Sequence, residues 1–105
     1  MVVEYNGKKF LICKSTYVAD DSLALLLFTE DGEYERTLTV CLPSGIMGDA
    51  GNLAYLDTNN FPDAEKFVKK AKIGSFTGIY GYSGYCQYPL YMFDPKALER
   101  IEEAH

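Results

Sequence analysis

The chain has no tryptophan, one histidine, four prolines and three cysteines among 105 residues. Each scarcity removes a class of chemistry. The histidine, His105, is the last residue of the sequence, where fraying is expected. Ser–His and Cys–His nucleophile pairs and histidine-based zinc sites therefore lack their second member. Cys13, Cys41 and Cys86 stand far apart with no Cys-x-x-Cys pair, and any disulfide would leave one over. That pattern predicts thiols in a reducing cytoplasm. The opening "MVVEYNGKKF" lacks the apolar stretch of a signal peptide, and no apolar run reaches the roughly 18 residues of a membrane span. Positive charge is also short: ten Lys and Arg stand against fifteen Asp and Glu, a formal net charge of −5. The basic footprint that nucleic acid or anionic lipid selects is missing. The acidic balance fits solubility, a basic partner or mimicry of nucleic acid.

What is present reads as one domain over residues 1–105. "VVEY" and "KKFLIC" flank Asn6-Gly7, a pair suited to a type I′ hairpin turn. "SLALLLFT" is leucine-rich, but its shortness and the following Asp31-Gly32 turn predict a strand buried on both faces. "YERTLTVCL" (34–42) predicts one strand. Tyr34, Leu38, Val40 and Leu42 face one way, and Glu35, Thr37, Thr39 and Cys41 the other. Arg36 shares the apolar parity, with its stem on the core and its head in water. Pro43 ends the strand and a glycine-rich loop follows over 44–52.

"LAYLD" gives a further short strand. "TNNFPDAEKFVKKAKIG" then predicts a helix of about 10 residues, with Pro62 in its first turn and Asn60 or its neighbour as cap. Ala64, Phe67, Val68 and Ala71 form its buried stripe, and Gly74 its left-handed end. Two strands over 75–82 and 87–93 meet at a bend at Ser83-Gly84. A last helix opens at Asp94-Pro95, with Ala97, Leu98 and Ile101 as its apolar face. Hairpins followed by helices predict an α+β fold: one mostly antiparallel sheet of about five to seven strands with two short helices on one face. Leu26, Leu38, Val40, Phe67 and Val68 are the predicted core.

Most candidate chemistries fail on their own residues. Cys86 has no basic neighbour or helix start to activate it. Gly78 to Gly84 is not a dinucleotide fingerprint, because Pro89 prevents the helix that should follow. "GIMGDAG" has no lysine and carries Asp49, against a phosphate cradle. "DTNNFPD" lacks the glycine and terminal glutamate of a calcium loop, so Asp57, Asn59, Asn60 and Asp63 read as turn and capping residues. The remaining acids sit mostly in turns (Asp20, Asp21, Glu30, Asp31, Glu33) or on the last helix (Glu99, Glu102, Glu103). No catalytic residue, cofactor or metal ligand is assigned.

The segment 80–91 is the exception. Tyr80, Tyr82, Tyr85, Tyr88 and Tyr91 are five of the nine tyrosines, interleaved with Gly81 and Gly84. Aromatic platforms stack nucleobases, but they work with a positive groove, and no Lys or Arg lies between Gly74 and Asp94. Three readings remain: a glycine-bent pair of strands with tyrosines at the rim, a groove for a peptide or small molecule, or a nucleic-acid platform. Tyr80 and Tyr91 are expected in the packed strands, with Tyr82, Tyr85 and Tyr88 near the bend.

Two stretches, "LAYLDTNNFPDAEKFV" (53–68) and "GSFTGIYGYSGYCQYPLYMF" (74–93), resemble a family of short bacterial proteins filed as a domain of unknown function. Its members are frequent in gut bacteria, on conjugative elements and prophages. The matching residues are Asp57, Thr58, Asn59 and Asn60, then Thr77 and Gly78, then Ser83 to Tyr91. "TLTVCLP" is also similar, although Cys41 stands where the family pattern has Asn. The resemblance carries no activity. It implies a cytoplasmic accessory protein of mobile-element origin, and loops 57–63 and 81–88 that pack together. The sequence thus predicts a non-enzymatic binding domain with a protein partner, no nucleic acid and no membrane. Asp57, Asn59, Asn60, Tyr82, Tyr85 and Tyr88 are its candidate ligand-binding residues. An acidic decoy of a DNA-binding host protein, or a small enzyme using Cys86 and nearby tyrosines, are the alternatives.

Overall fold

The computed structural model describes residues 1–17, 22–42 and 52–104. Expectations for Asp20, Asp21, the loop over 43–51 and His105 lie outside the described residues. The first sheet begins with β1 (Val2–Tyr5), β2 (Lys8–Thr16), β3 (Leu23–Thr29) and β4 (Tyr34–Thr37), paired antiparallel in chain order. Asn6 and Gly7 have φ of 51° and 77°, the two positive values that a type I′ turn needs, and Tyr5 faces Lys8 across it. In β3 the buried set is Leu23, Ala24, Leu25 and Leu27, so both faces are covered at its start. Leu26, expected in the core, is only half-buried; Leu25 and Leu27 take that place.

The predicted strand 34–42 is broken between two sheets. It leaves the first sheet after Thr37, and β5 (Thr39–Val40) joins the second. Leu38 is the corner and is fully buried. Its N–H donates to the Leu25 carbonyl at 2.8 Å, and its carbonyl accepts from the Asp57 N–H at 3.0 Å. Thr39, expected on the outer side, is buried instead. Its hydroxyl accepts from the Leu25 N–H at 3.1 Å and pairs with the Tyr17 hydroxyl at 3.0 Å. A buried hydroxyl is tolerated when bonded in this way. Alternation alone cannot reveal a corner of this kind, because a threonine that bonds backbone still looks like a solvent-facing residue. Val40, predicted as core, is half-buried.

The second sheet runs β5, β6 (Leu53–Leu56), β8 (Cys86–Phe93), β7 (Gly74–Ser83). The helix α1 (Ala64–Ala71) buries Ala64, Phe67 and Val68 of the predicted stripe, and Ala71, its fourth member, is half-buried against the core. The Phe67 ring meets Tyr5 at 5.6 Å and Phe10 and Phe61 at 6.0 Å. Its caps differ from expectation. Asp63 stands at the N-cap without a side-chain capping bond, while Asn60 turns back to Asp57. Lys72, not Gly74, takes the left-handed position, with φ of 57°.

Asp94 caps α2 (Pro95–Glu99) by accepting the Lys96 N–H at 3.0 Å. This helix is shorter than predicted. After Ile101 the chain extends as β9 (Glu102–Glu103), parallel to β2, so those two acids are strand residues. Lys14 Nζ donates to the Leu98 carbonyl at 2.8 Å, where positive charge suits a helix end.

The fold is α+β and mostly antiparallel, but with nine strands in two sheets among the described residues rather than one sheet of five to seven. Nor do the helices simply lie on one face of a single sheet. Ile12, Leu25 and Leu27 of the first sheet, Leu56 and Phe93 of the second, and Phe67 and Ala97 of the helices share one core. A second, smaller cluster of Leu42, Tyr55, Tyr88 and Leu90 covers the opposite face of the second sheet.

Candidate functional site

The tyrosine segment folds as the hairpin β7–β8. Ser83 pairs with Cys86 across a two-residue turn, Gly84-Tyr85. Gly84 has φ of +60°, and a turn that opens on a left-handed residue selects glycine there. Gly81 is needed for a different reason. A Cβ at that position would stand 2.6 Å from both Leu42 Cδ1 and Tyr55 Cε1. The missing side chain is what lets Tyr55 pack against the strand. Between Phe76 and Tyr80 the ladder slips, so that Thr77, Gly78 and Ile79 oppose Leu90 alone. Thr77 Oγ1 spans this bulge, donating to the Leu90 carbonyl at 2.8 Å and accepting the Ile79 N–H at 3.2 Å. The glycine-bent strand is therefore real, and each bend has a steric or hydrogen-bonding cause.

The tyrosines divide by strand. Tyr88 and Tyr91 on β8 are buried, whereas Tyr80 and Tyr82 on β7 are 43% and 64% exposed and Tyr85 at the turn is fully exposed. Tyr80 was expected to be packed. The bulge and the edge position of β7 leave it against Phe76, at 5.1 Å between ring centroids. Tyr91 donates to Glu65 Oε1 at 2.7 Å. Burial first, then this bond to a carboxylate, pushes the Tyr91 phenol well above its ordinary pKa. Tyr88 is raised chiefly by burial, then by its bond to Cys86, with a smaller effect from Asp57. Cys86 itself is half-buried against the cluster of Tyr55, Tyr88 and Leu90, with no lysine or arginine on its own strand.

Asp57 and Asn60 form a local turn. The Asp57 carboxylate accepts the Asn60 N–H at 3.3 Å and Asn60 Nδ2–H at 3.0 Å, and the Asp57 carbonyl accepts the Phe61 N–H at 2.8 Å. This is the turn chemistry that Asn and Asp favour. Asn59 is exposed. β6 and β8 pair Leu53 with Met92 and Tyr55 with Leu90. Continuing that register sets Asp57 beside Tyr88, in keeping with its effect on that phenol. Of the six residues singled out in the sequence, Asp57 and Tyr88 are thus neighbours, Asn59 and Asn60 belong to the turn after β6, and Tyr82 and Tyr85 project at the hairpin's far end.

Residues 12–105 match the family model DUF4313, a domain of unknown function. The chain belongs to the DUF4313 family. No curated protein and no solved structure matches it. In this DUF4313 domain, no helix among the described residues is long and apolar enough to cross a membrane.

Sequence reading missed a second feature of the domain. A cleft of about 530 Å³ opens between the β1–β2 hairpin, β4 and the start of α1, lined by Tyr5, Lys8, Phe10, Arg36, Phe61 and Asp63 among others. The Arg36 guanidinium lies over the Phe61 ring at 4.6 Å, a cation–π contact. Tyr5 is raised by burial and then by hydrogen bonding to Asp63. The one visible signal was Arg36 at an apolar parity; its partners come from segments distant in sequence.

Proposed function

We propose that this domain is a non-enzymatic binding module, a cytoplasmic accessory protein whose β7–β8 hairpin contacts a protein partner. One observation carries the reading. Of the eight large hydrophobic side chains exposed among the described residues, six lie on this hairpin: Phe76, Ile79, Tyr80, Tyr82, Tyr85 and Met92. Scattered exposed apolar residues are ordinary, but a concentration on one element marks an interaction surface. The stretch from Gly74 to Phe93 holds no charged residue of either sign, and interface centres are depleted of charge and enriched in tyrosine. Tyr82 and Tyr85 supply rigid amphipathic rings. Asp57, Asn59 and Asn60 enter as the adjoining turn, tied to the hairpin through Asp57 beside Tyr88.

The test is a double variant, Tyr82→Ser with Tyr85→Ser. Both side chains are exposed, so the thermal midpoint should stay at the wild-type value. Immobilised wild-type protein should retain from a bacterial lysate a partner that the variant does not. Identical retention by a variant that folds normally would remove the hairpin tip from any contact surface.

A further inference from the structure

We infer that the groove between α1 and the edge strand β7 binds an extended acidic peptide segment of a partner protein, added as a further strand to the second sheet. The inference rests on the binding reading above and names the chemistry of the partner. Among the described residues β7 pairs with β8 alone, so its other side is a sheet edge. The direction of its backbone groups follows from the sheet. Phe93 uses its N–H and carbonyl on Asn52, at 2.8 and 3.0 Å, on the β6 side. Antiparallel strands alternate, so Met92 turns to β7 and meets Ser75, its register partner. Gly74 and Phe76 then turn their backbone groups outward. Past the bulge, Ser83 and Cys86 close the hairpin, which turns Tyr80 and Tyr82 outward as well. Among the described residues, no backbone bond from beyond the hairpin reaches any of these four. An edge of this kind is where an extended peptide adds by main-chain hydrogen bonds.

Beside the first half of that edge lies a groove of about 440 Å³, lined by Glu65, Lys66, Lys69, Ser75, Phe76 and Tyr91 among others. Its charge is positive. Glu65 accepts the Tyr91 hydroxyl, while Lys66 and Lys69 are exposed and make no ion pair with any described residue. Four of the ten cations, Lys66, Lys69, Lys70 and Lys72, fall within seven residues of an acidic chain. The floor is aromatic: Phe76 is 41% exposed and stacks toward Tyr91 at 5.8 Å. A strand that presents, on one face, acidic residues to the lysines and an apolar residue two positions along to Phe76 satisfies all three features. Nucleic acid fits less well. Two lysines at one end of an uncharged hairpin do not make the continuous positive track that a phosphate backbone needs.

The probe is a set of fluorescein-labelled peptides of about seven residues that carry glutamate and phenylalanine or valine at every second position, on one face, with threonine between them, capped at both ends. Anisotropy at low salt should show binding. The paired change Lys66→Glu and Lys69→Glu should weaken it about tenfold, as should raised salt. Methylating alternate peptide nitrogens should abolish it with the protein unaltered, so the inference does not hang on the variant folding. It is overturned if no peptide of the set binds at about 1 mM, if methylation has no effect, or if an oligothymidylate binds where the peptides do not. A dimer by sedimentation that excludes the peptides would also overturn it, by giving the edge to a second copy. The tyrosine-tip experiment is independent: partner loss there with no peptide binding here would leave the binding reading standing and end the acidic-strand inference.

Discussion

β7 and β8 are two strands of one hairpin, built from similar residues, with opposite fates. Five of the eight residues of β8 are buried, including Tyr88, Leu90 and Tyr91, and none of the ten in β7 is. The difference is position in the sheet. β8 lies between β6 and β7 and has the main core on one face and the Tyr55 cluster on the other. β7 is the edge. Tyrosine serves both because its ring packs and its hydroxyl bonds. A tyrosine count therefore says little about recognition until the neighbouring strand is known, and the cluster visible in the sequence is half scaffold and half surface.

The largest expected effects test that division directly. Tyr91→Ala, like Phe67→Ala in the core beneath Tyr5, Phe10 and Phe61, should cost about 3–5 kcal/mol in urea unfolding. That is a large share of a small domain's stability. Tyr82→Ala and Tyr85→Ala should change it by less than about 0.5 kcal/mol. Equal losses on the two strands would break the comparison. A smaller effect sharpens it. Gly81→Ala forces a methyl toward the Tyr55 ring and should cost about 1–3 kcal/mol by overpacking. The same measurement with no loss would mean that Tyr55 can withdraw, and that β7 is not held against the Tyr55 cluster.

Much of this was readable from the sequence where a local rule governs. The Asn6-Gly7 turn, the Phe67–Val68 stripe, the Asp94-Pro95 helix start and both strands of the tyrosine hairpin follow from short-range preferences. The misses share a cause. Leu38 is a corner because its N–H and carbonyl serve different sheets, and Glu102–Glu103 extends because β2 offers it an edge. Lys72 takes the left-handed cap because Gly74 is committed to β7, where a Cβ would stand 2.9 Å from the Met92 carbonyl oxygen. Each depends on a partner far along the chain. The candidate site divides in the same way. Residue types pointed to the hairpin, but the burial of Tyr88, the exposure of Tyr80 and the nearness of Lys66 and Lys69 to Phe76 are properties of the assembled sheet.

The smallest loss expected of a buried residue concerns the tyrosine whose hydroxyl ties β8 to α1. Tyr91→Phe keeps the ring and loses the bond to Glu65, at a cost of about 1 kcal/mol near neutral pH. Its signature is in the pH dependence. Burial and the carboxylate both raise the Tyr91 pKa in the folded protein, while an unfolded tyrosine titrates near pH ~10. Below that value both states hold the proton and the contribution is intact. Above it the unfolded chain loses its proton first, so the folded state loses stability as pH rises toward the folded pKa. The slope is at most about 1.4 kcal/mol per pH unit for one group. Tyr17 and Tyr88, raised mainly by burial, add in the same direction. Burial also raises the Cys13 thiol, whose unfolded form titrates near pH ~8.5. Unfolding free energy should therefore be flat only from about pH 7 to 8, decline gently above that in both proteins, and fall more steeply above about pH 10, with a shallower fall in Tyr91→Phe. Parallel curves for the two proteins would show that the Tyr91 hydroxyl titrates as freely in the folded state as in the unfolded one. The buried half of the hairpin would then be no more closed than its exposed half.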